Sequence, residues 1–243
     1  MSSNSLSRYR LAQYLAMCGV ASRRQASRLI QSGRVTYNQR NATHIDMVDT
    51  QQPLPDVMVD GVKICLPEAK VYWLYHKPVG VDCNLVADNP QSLIHLLPAN
   101  ERVFPVGRLD KDSRGLLILT NDGHLTQQLM HPDYQHSKTY HVTVNQPIDE
   151  QFLTSMAQGI SYEKGQKAVK TQPCAVCQLD ANQFKIVLTQ GLNRQIRRMC
   201  QALGYKVIDL QRVAIGGLSL ADLPESQWRH LSPTEVALLT EVS

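Results

Sequence analysis

The sequence predicts an α+β fold in two parts. A small, basic helical module spans residues 1–67. A larger domain spans 68–243, built on a mixed, mostly antiparallel sheet flanked by helices. Three observations predict this. Every charge in residues 1–40 is an arginine, in a stretch with helix-turn-helix periodicity. Pro67-Glu68-Ala69-Lys70 then reads as a linker, and a new apolar run starts at Val71. Beyond it, strand and helix patterns do not alternate regularly, which argues against a doubly wound parallel sheet.

Composition bounds the function classes. The chain has 243 residues, 43% of them hydrophobic, enough to bury a core, and the 19% charged fraction is too low for a polyelectrolyte tail. No apolar run approaches the roughly 18 residues that span a bilayer, so no membrane partner is expected. The first residues lack the apolar core of a secretory signal, so a cytoplasmic protein is expected. Six cysteines, at 18, 65, 83, 174, 177 and 200, are then read as reduced thiols. Only Cys174 and Cys177 have metal-ligand spacing, and no second pair completes a four-ligand site, so no metal is expected.

The net charge of +4 hides an asymmetry. Arg8, Arg10, Arg23, Arg24, Arg28, Arg34 and Arg40 give the first forty residues +7, while the remaining 203 carry −3. A basic module on a near-neutral body suggests docking on a polyanion, and guanidinium forks match phosphate. Leu11, Leu15 and Cys18 lie on one helical face, ended by Gly19. Ser22 to Gln25 reads as a capping box for a second helix. Ala26, Leu29 and Ile30 form its apolar face, Arg23, Arg24 and Arg28 point elsewhere, and Gly33 stops it. A short strand, Arg34 to Tyr37, follows. The arginines thus belong to a folded helical hairpin rather than to a solvated tail. The run Arg10–Asn38, with Val57–Ile64 as closing strands, resembles the S4 RNA-binding domain (the αL-type fold). It departs at Gln39-Arg40, where that family usually has a glycine after the asparagine. The resemblance implies RNA, not a reaction.

In the second part, Val71–Tyr75 reads as a strand, and Gly115–Thr120 as a buried strand closed by the Asn121-Asp122-Gly123 turn. Thr139–Val144 and Phe184–Thr189 alternate as half-buried strands. Helical patterns occupy 124–130 and 149–157. Ser232-Pro233-Thr234-Glu235 boxes a last helix, with Leu231 and Val236 placed as a staple.

The helix Asn193–Leu203 carries an apolar face of Ile196, Met199, Cys200 and Leu203. Arg194 and Arg198 lie opposite, Arg197 sits on the border, Asn193 is placed to cap it and Gly204 to end it. On pattern alone this is either a solvated basic face or an arginine row at a helix N-terminus favouring phosphate, with Arg197 able to reach a carboxylate. Asp110 and Asp112 are the carboxylate candidates. They lie in a turn of two acids and three bases before the Gly115 strand. Such a turn is either a surface loop, or a D-x-D metal phosphatase site, which would place its strand before the acids rather than after.

Residues 107–121 (G-R-L-D-K-D-S-R-G-L-L-I-L-T-N) closely resemble the catalytic motif of the RsuA-type ribosomal RNA pseudouridine synthases. Leu74–Gly80, with Lys77-Pro78 and Gly80, is similar to that family's first motif. Lys138-Thr139-Tyr140 looks like its Lys-x-Tyr element, and Gln190–Met199 like its third motif, with wording nearest the RluF type, which acts on 23S rRNA. The resemblance covers roughly residues 10–240. It implies uridine-to-pseudouridine isomerisation in 23S rRNA without a cofactor, with a tRNA anticodon loop as a second candidate substrate. It implies Asp110 as nucleophile, Arg197 as its buried partner and Tyr140 as the residue stacking on the uracil. Arg108 would fill the space left by the flipped base. Lys77, Arg194, Arg198 and the S4 arginines are expected at the RNA, and Asp112 is expected to be structural. Tyr75-His76 and Val81-Asp82-Cys83-Asn84 depart from the family wording and are expected in a loop facing substrate. The absence of a patterned interface helix points to a monomer. The rival readings are a non-catalytic S4 ribosome-assembly protein and the metal phosphatase.

Overall fold

The computed structural model describes residues 8–50, 53–65, 69–97, 103–131, 136–164 and 167–240. Pro67 and Glu68 of the expected linker lie outside them. The chain divides into two compact units, residues 1–70 with 121–123, and residues 71–120 with 124–243.

In the first unit, β1 (Arg8–Arg10) leads directly into α1 (Leu11–Met17), followed by α2 (Arg23–Gln31), β2 (Val35–Tyr37), β3 (Arg40–Asn41), β4 (Met47–Asp49), β5 (Val57–Val59) and β6 (Val62–Lys63). β1 pairs antiparallel with β4, and the rest form a four-stranded sheet in the order β3-β2-β5-β6. The capping box is complete: Ser22 accepts from the Gln25 N–H, and the Gln25 side chain accepts from the Ser22 N–H. Leu11, Tyr14, Leu15, Ala26 and Ile30 bury against Val35, Val48 and Val57. β1 is absent from the sequence reading. Three residues of Arg-Tyr-Arg are too few to show a period, and only pairing with β4 makes them a strand.

The basic segment is less free than its sequence suggests. Arg34 forks onto Asp60, Arg40 onto Asp46, and Arg8 lies 3.9 Å from Asp49. These acids come from the strands that follow. Arg10, Arg23, Arg24 and Arg28 are exposed, and among the described residues they form no ion pair.

Gln39-Arg40 finds its explanation here. Asn38 and Gln39 make a two-residue hairpin turn with φ of +49° and +67°. Glutamine in the left-handed region costs about 1 kcal/mol. The Asn38 side chain steadies the turn by accepting from the Asp56 N–H at 2.9 Å. Arg40 then holds the Asp46 carboxyl at about 2, well below the usual carboxylate range, with the Thr43 N–H donating to the same group. A lowered folded-state value stabilises the fold above the carboxylate's ordinary range, and that stability is lost as pH falls through about 2. Arg40 is half exposed, so solvent screening keeps the contribution small. Asp46→Asn should lower hydrogen-exchange protection across residues 40–49 at neutral pH, and the difference should vanish near pH 2. Equal protection at neutral pH would contradict this.

The second unit holds β7 (Tyr72–Lys77), β8 (Phe104–Pro105), β9 (Arg114–Thr120), α3 (Gly123–Met130), β10 (Lys138–Val144), α4 (Glu150–Gln158), β11 (Ser161–Lys164), β12 (Lys167–Lys170), β13 (Ala175–Asp180), β14 (Gln183–Leu188), α5 (Gln195–Ala202), β15 (Val207–Ile215), β16 (Leu218–Ser219), β17 (Trp228–His230) and α6 (Pro233–Thr240). The main sheet runs β13-β14-β10-β15-β9-β7-β17, with β16 on β15 and β8 on β9. The β15–β9 pair is parallel, and the other described pairs are antiparallel. The mixed, mostly antiparallel sheet is therefore as the sequence predicts.

β9 is covered on both faces, which is why its sequence is continuously apolar. Leu116 and Ile118 join a core with Leu125, Leu129 and Leu239, whereas Leu117 and Leu119 join Trp73, Tyr75 and Leu93. α4 and α5 pack Phe152, Met156, Met199 and Cys200 against Val142, Phe184 and Ile186. Ser232 and Glu235 cap α6 reciprocally, and Leu231 and Val236 share its core. Where β9 and β15 run side by side, Gly115 (φ +115°) faces Arg212, and a Cβ there would lie 2.3 Å from the Arg212 carbonyl oxygen. No described helix is long and apolar enough to cross a membrane.

Candidate active site

The turn that precedes β9 carries Asp110 and is tied down from four directions. Buried Lys77 donates to the Ser113 carbonyl at 2.7 Å and the Pro78 carbonyl at 2.9 Å. Gly80 (φ +91°) donates its N–H to the Lys111 carbonyl at 2.8 Å. Cys83 donates its thiol to the Leu109 carbonyl and accepts the Leu109 N–H. Arg197 reaches from α5 to the Asp112 carbonyl at 2.6 Å and to Ser113 Oγ at 3.3 Å. Within the turn, the Ser113 N–H returns to the Asp110 carbonyl at 3.0 Å. The Lys-Pro-x-Gly spacing thus serves the turn, its lysine at one carbonyl and its glycine at another.

An open cleft of about 310 Å³ lies beside this turn, at the small end of ligand-sized pockets. It gathers Arg108, Asp110, Lys138, Tyr140, Arg194, Ile196 and Arg212. Asp110 is about one-third exposed, and Arg194 Nη1 lies 3.9 Å from it. Arg194 also forks onto Asp112 at 3.0 and 2.7 Å. Together with Arg197, it draws the Asp112 carboxyl below its ordinary range. Arg194 occupies the left-handed region (φ +53°) at the start of α5, a strained position for a non-glycine residue. Burial, reinforced by the charge of Arg212, pulls the Lys138 ammonium below its ordinary range, and it donates to the His136 carbonyl at 2.9 Å. Arg108 is exposed and donates to Asn84 Oδ1 at 3.2 Å.

Four expectations need correction. Lys77 is fully buried, so it holds the turn rather than RNA, and burial pulls its ammonium below the ordinary range. Arg197 pairs with Asp112 Oδ2 at 3.4 Å, not with Asp110. A helical period assigns a face but does not choose between carboxylates two residues apart. Asp110 correspondingly does not form the expected buried pair with Arg197. Tyr75 and His76 are buried in β7 rather than in a loop, and Cys83 is buried under the turn. Asn193 does not cap α5; its side chain accepts from Arg198. Arg198 itself stands 5.8 Å over the Tyr162 ring and is not among the residues lining the cleft. A D-x-D metal site would need the Asp112 oxygens that Arg194 occupies.

Arg212 is the residue the sequence reading missed. The signal was available: one arginine inside the strand-like run V-I-D-L-Q-R-V-A-I, where an exposed position would be unremarkable and a buried one is not.

The RNA pseudouridylate synthase family matches residues 71–202, more than half the chain, and the S4 domain matches residues 10–47. The chain belongs to the RNA pseudouridylate synthase family. The resemblance seen in the sequence is borne out, and so is the order of S4 domain before synthase domain. The chain is 39% identical over 229 residues to the dual-specificity RNA pseudouridine synthase RluF of Escherichia coli K12, covering 93% of this chain and 77% of that protein. It is 36% identical over 238 residues to the ribosomal large subunit pseudouridine synthase B of Bacillus subtilis 168, covering 95% of each. A solved pseudouridylate synthase superposes with a TM-score of 0.70 at 26% identity, over 95% of this chain and 99% of that one.

Proposed function

We propose that this pseudouridine synthase acts, as a cytoplasmic monomer, on a uridine of 23S ribosomal RNA. A tRNA anticodon-loop uridine is the second candidate. The observation that carries the site assignment is the single cleft that brings Asp110, Tyr140 and Arg108 together beside a rigidly held turn. The names of the two relatives support the substrate: one is a ribosomal large subunit pseudouridine synthase and the other a dual-specificity RNA pseudouridine synthase.

In this reading, Asp110 attacks C1′ of a uridine flipped out of its stack, as carboxylates do in retaining glycosidases. Tyr140 stacks on the base, and Arg108 fills the space it left. Arg194, shared between Asp110 and Asp112, places a positive charge beside the nucleophile. Arg197 acts on the turn rather than on the nucleophile.

The test is tritium release from RNA labelled at uridine C5, because that hydrogen leaves only when C5 becomes the glycosidic carbon. Release from 23S rRNA is expected. Silence on 23S rRNA, ribosomal precursors and tRNA alike would favour a non-catalytic S4 protein.

Arg10, Arg23, Arg24 and Arg28, which form no ion pair among the described residues, are proposed to grip backbone. Arg23→Ala or Arg24→Ala should weaken RNA binding and flatten its log–log salt dependence by about 0.7 per lost contact, with turnover kept at saturating RNA. Unchanged slopes in both variants, measured by filter binding across a salt series, would remove these residues from the interface.

A further inference from the structure

The floor of the cleft holds a buried guanidinium with donors to spare. Arg212 is 3% exposed, near the middle of β15. It stands directly opposite Tyr140 on β10, so the two side chains share a face of the sheet, and both line the cleft. Its Nε donates to the Leu116 carbonyl at 2.8 Å, while its Nη2 is buried and has no hydrogen-bond partner among the described residues. The two carboxylates of the site are engaged by Arg194 and Arg197 instead. A guanidinium keeps its charge on burial, and a buried cation without a counter-charge is costly. Such a group stabilises negative charge strongly when that charge develops beside it in a site of low dielectric.

The proposed reaction creates such a charge. When Asp110 takes C1′, the electron pair of the N1–C1′ bond passes to N1 and delocalises onto O2 and O4. The detached uracil is an anion until it turns and C5 attacks C1′, releasing Asp110. C5 then gives up its proton and N1 gains one. The geometry points to Arg212 as a further catalytic residue, its guanidinium in the cleft lining stabilising the charge that the departing uracil carries between cleavage and reattachment. This rests on the reading of Asp110 as nucleophile in the same cleft.

The experiment compares wild type, Arg212→Gln and Arg212→Lys under single turnover. Two RNAs are used, the one that wild type converts and the same RNA with 5-fluorouridine at the target. Loss of the target nucleoside after digestion is the readout. The fluorine stabilises the departing anion without help from the protein. On the uridine RNA, Arg212→Gln should lose roughly 10²–10³-fold in rate at saturation, with little change in RNA affinity, and Arg212→Lys should lose less. On the fluorinated RNA both deficits should shrink at least tenfold. A residue that only braces Leu116 would show the same deficit on both RNAs, and that result overturns the assignment. If Arg212→Gln fails to fold, the two-substrate comparison for Arg212→Lys decides alone. A wild type inert on every RNA would remove the underlying reading, whereas an active wild type with substrate-independent deficits would remove only the role of Arg212.

Discussion

Asp110→Asn should bind RNA with the affinity of the wild type and release no detectable tritium, a loss of about 10⁴-fold or more. The carboxamide is nearly isosteric, and the turn around it is held by Lys77, Gly80, Cys83 and Arg197 through main-chain groups and Ser113, none of them through the Asp110 side chain. Folding should therefore be kept, and the effect should fall on chemistry alone. The substitution also frees Arg194 from its weaker carboxylate at 3.9 Å without touching its fork on Asp112. RNA affinity carried by the S4 arginines should be unchanged. Turnover within tenfold of wild type would take Asp110 out of the nucleophile role.

Gly115→Ala should destabilise the second unit by about 3 kcal/mol or more, the largest stability effect expected of a one-carbon change here. Two causes add. At φ +115° an L side chain is strained, and its Cβ would stand 2.3 Å from the Arg212 carbonyl oxygen and 2.6 Å from its nitrogen. Both obstacles are backbone in the centre of the sheet, so neither can swing aside. Relief requires prising β9 from β15, the parallel pair that joins the strand after the Asp110 turn to the strand of Arg212. Denaturant unfolding should show a lowered midpoint, and a midpoint equal to wild type would refute the packing argument.

Local order was largely legible in the sequence, and tertiary partnership was not. The capping boxes at Ser22 and Ser232, the alternation of β10 and β14, and the apolar run of β9 are all short-range signals, and each forms as the residues dictate. The charged turn at Asp110 was conspicuous beside a core strand, and the cleft lies there. What failed depends on residues far apart in the chain. Lys77 looked like a surface cation because nothing near it announces Ser113 as its acceptor, 36 residues away. Arg34 and Arg40 looked free because Asp60 and Asp46 lie beyond the basic stretch. Arg212 passed unnoticed because its burial comes from strands numbered nearly a hundred residues earlier.

The position of β15 also sets the timing of synthesis. This strand arrives near the end of the chain yet lies in the middle of the sheet, between β10 and β9. Until residues 207–215 leave the ribosome, the two halves of the catalytic sheet have no strand to join them, and Arg197 and Arg194 have only just emerged to meet Asp112. The S4 unit, whose strand pairs all close within residues 8–63, is complete long before. Domains fold as units from the N-terminus during translation. On the proposed roles, a growing chain would complete its RNA-binding unit first and its catalytic sheet last.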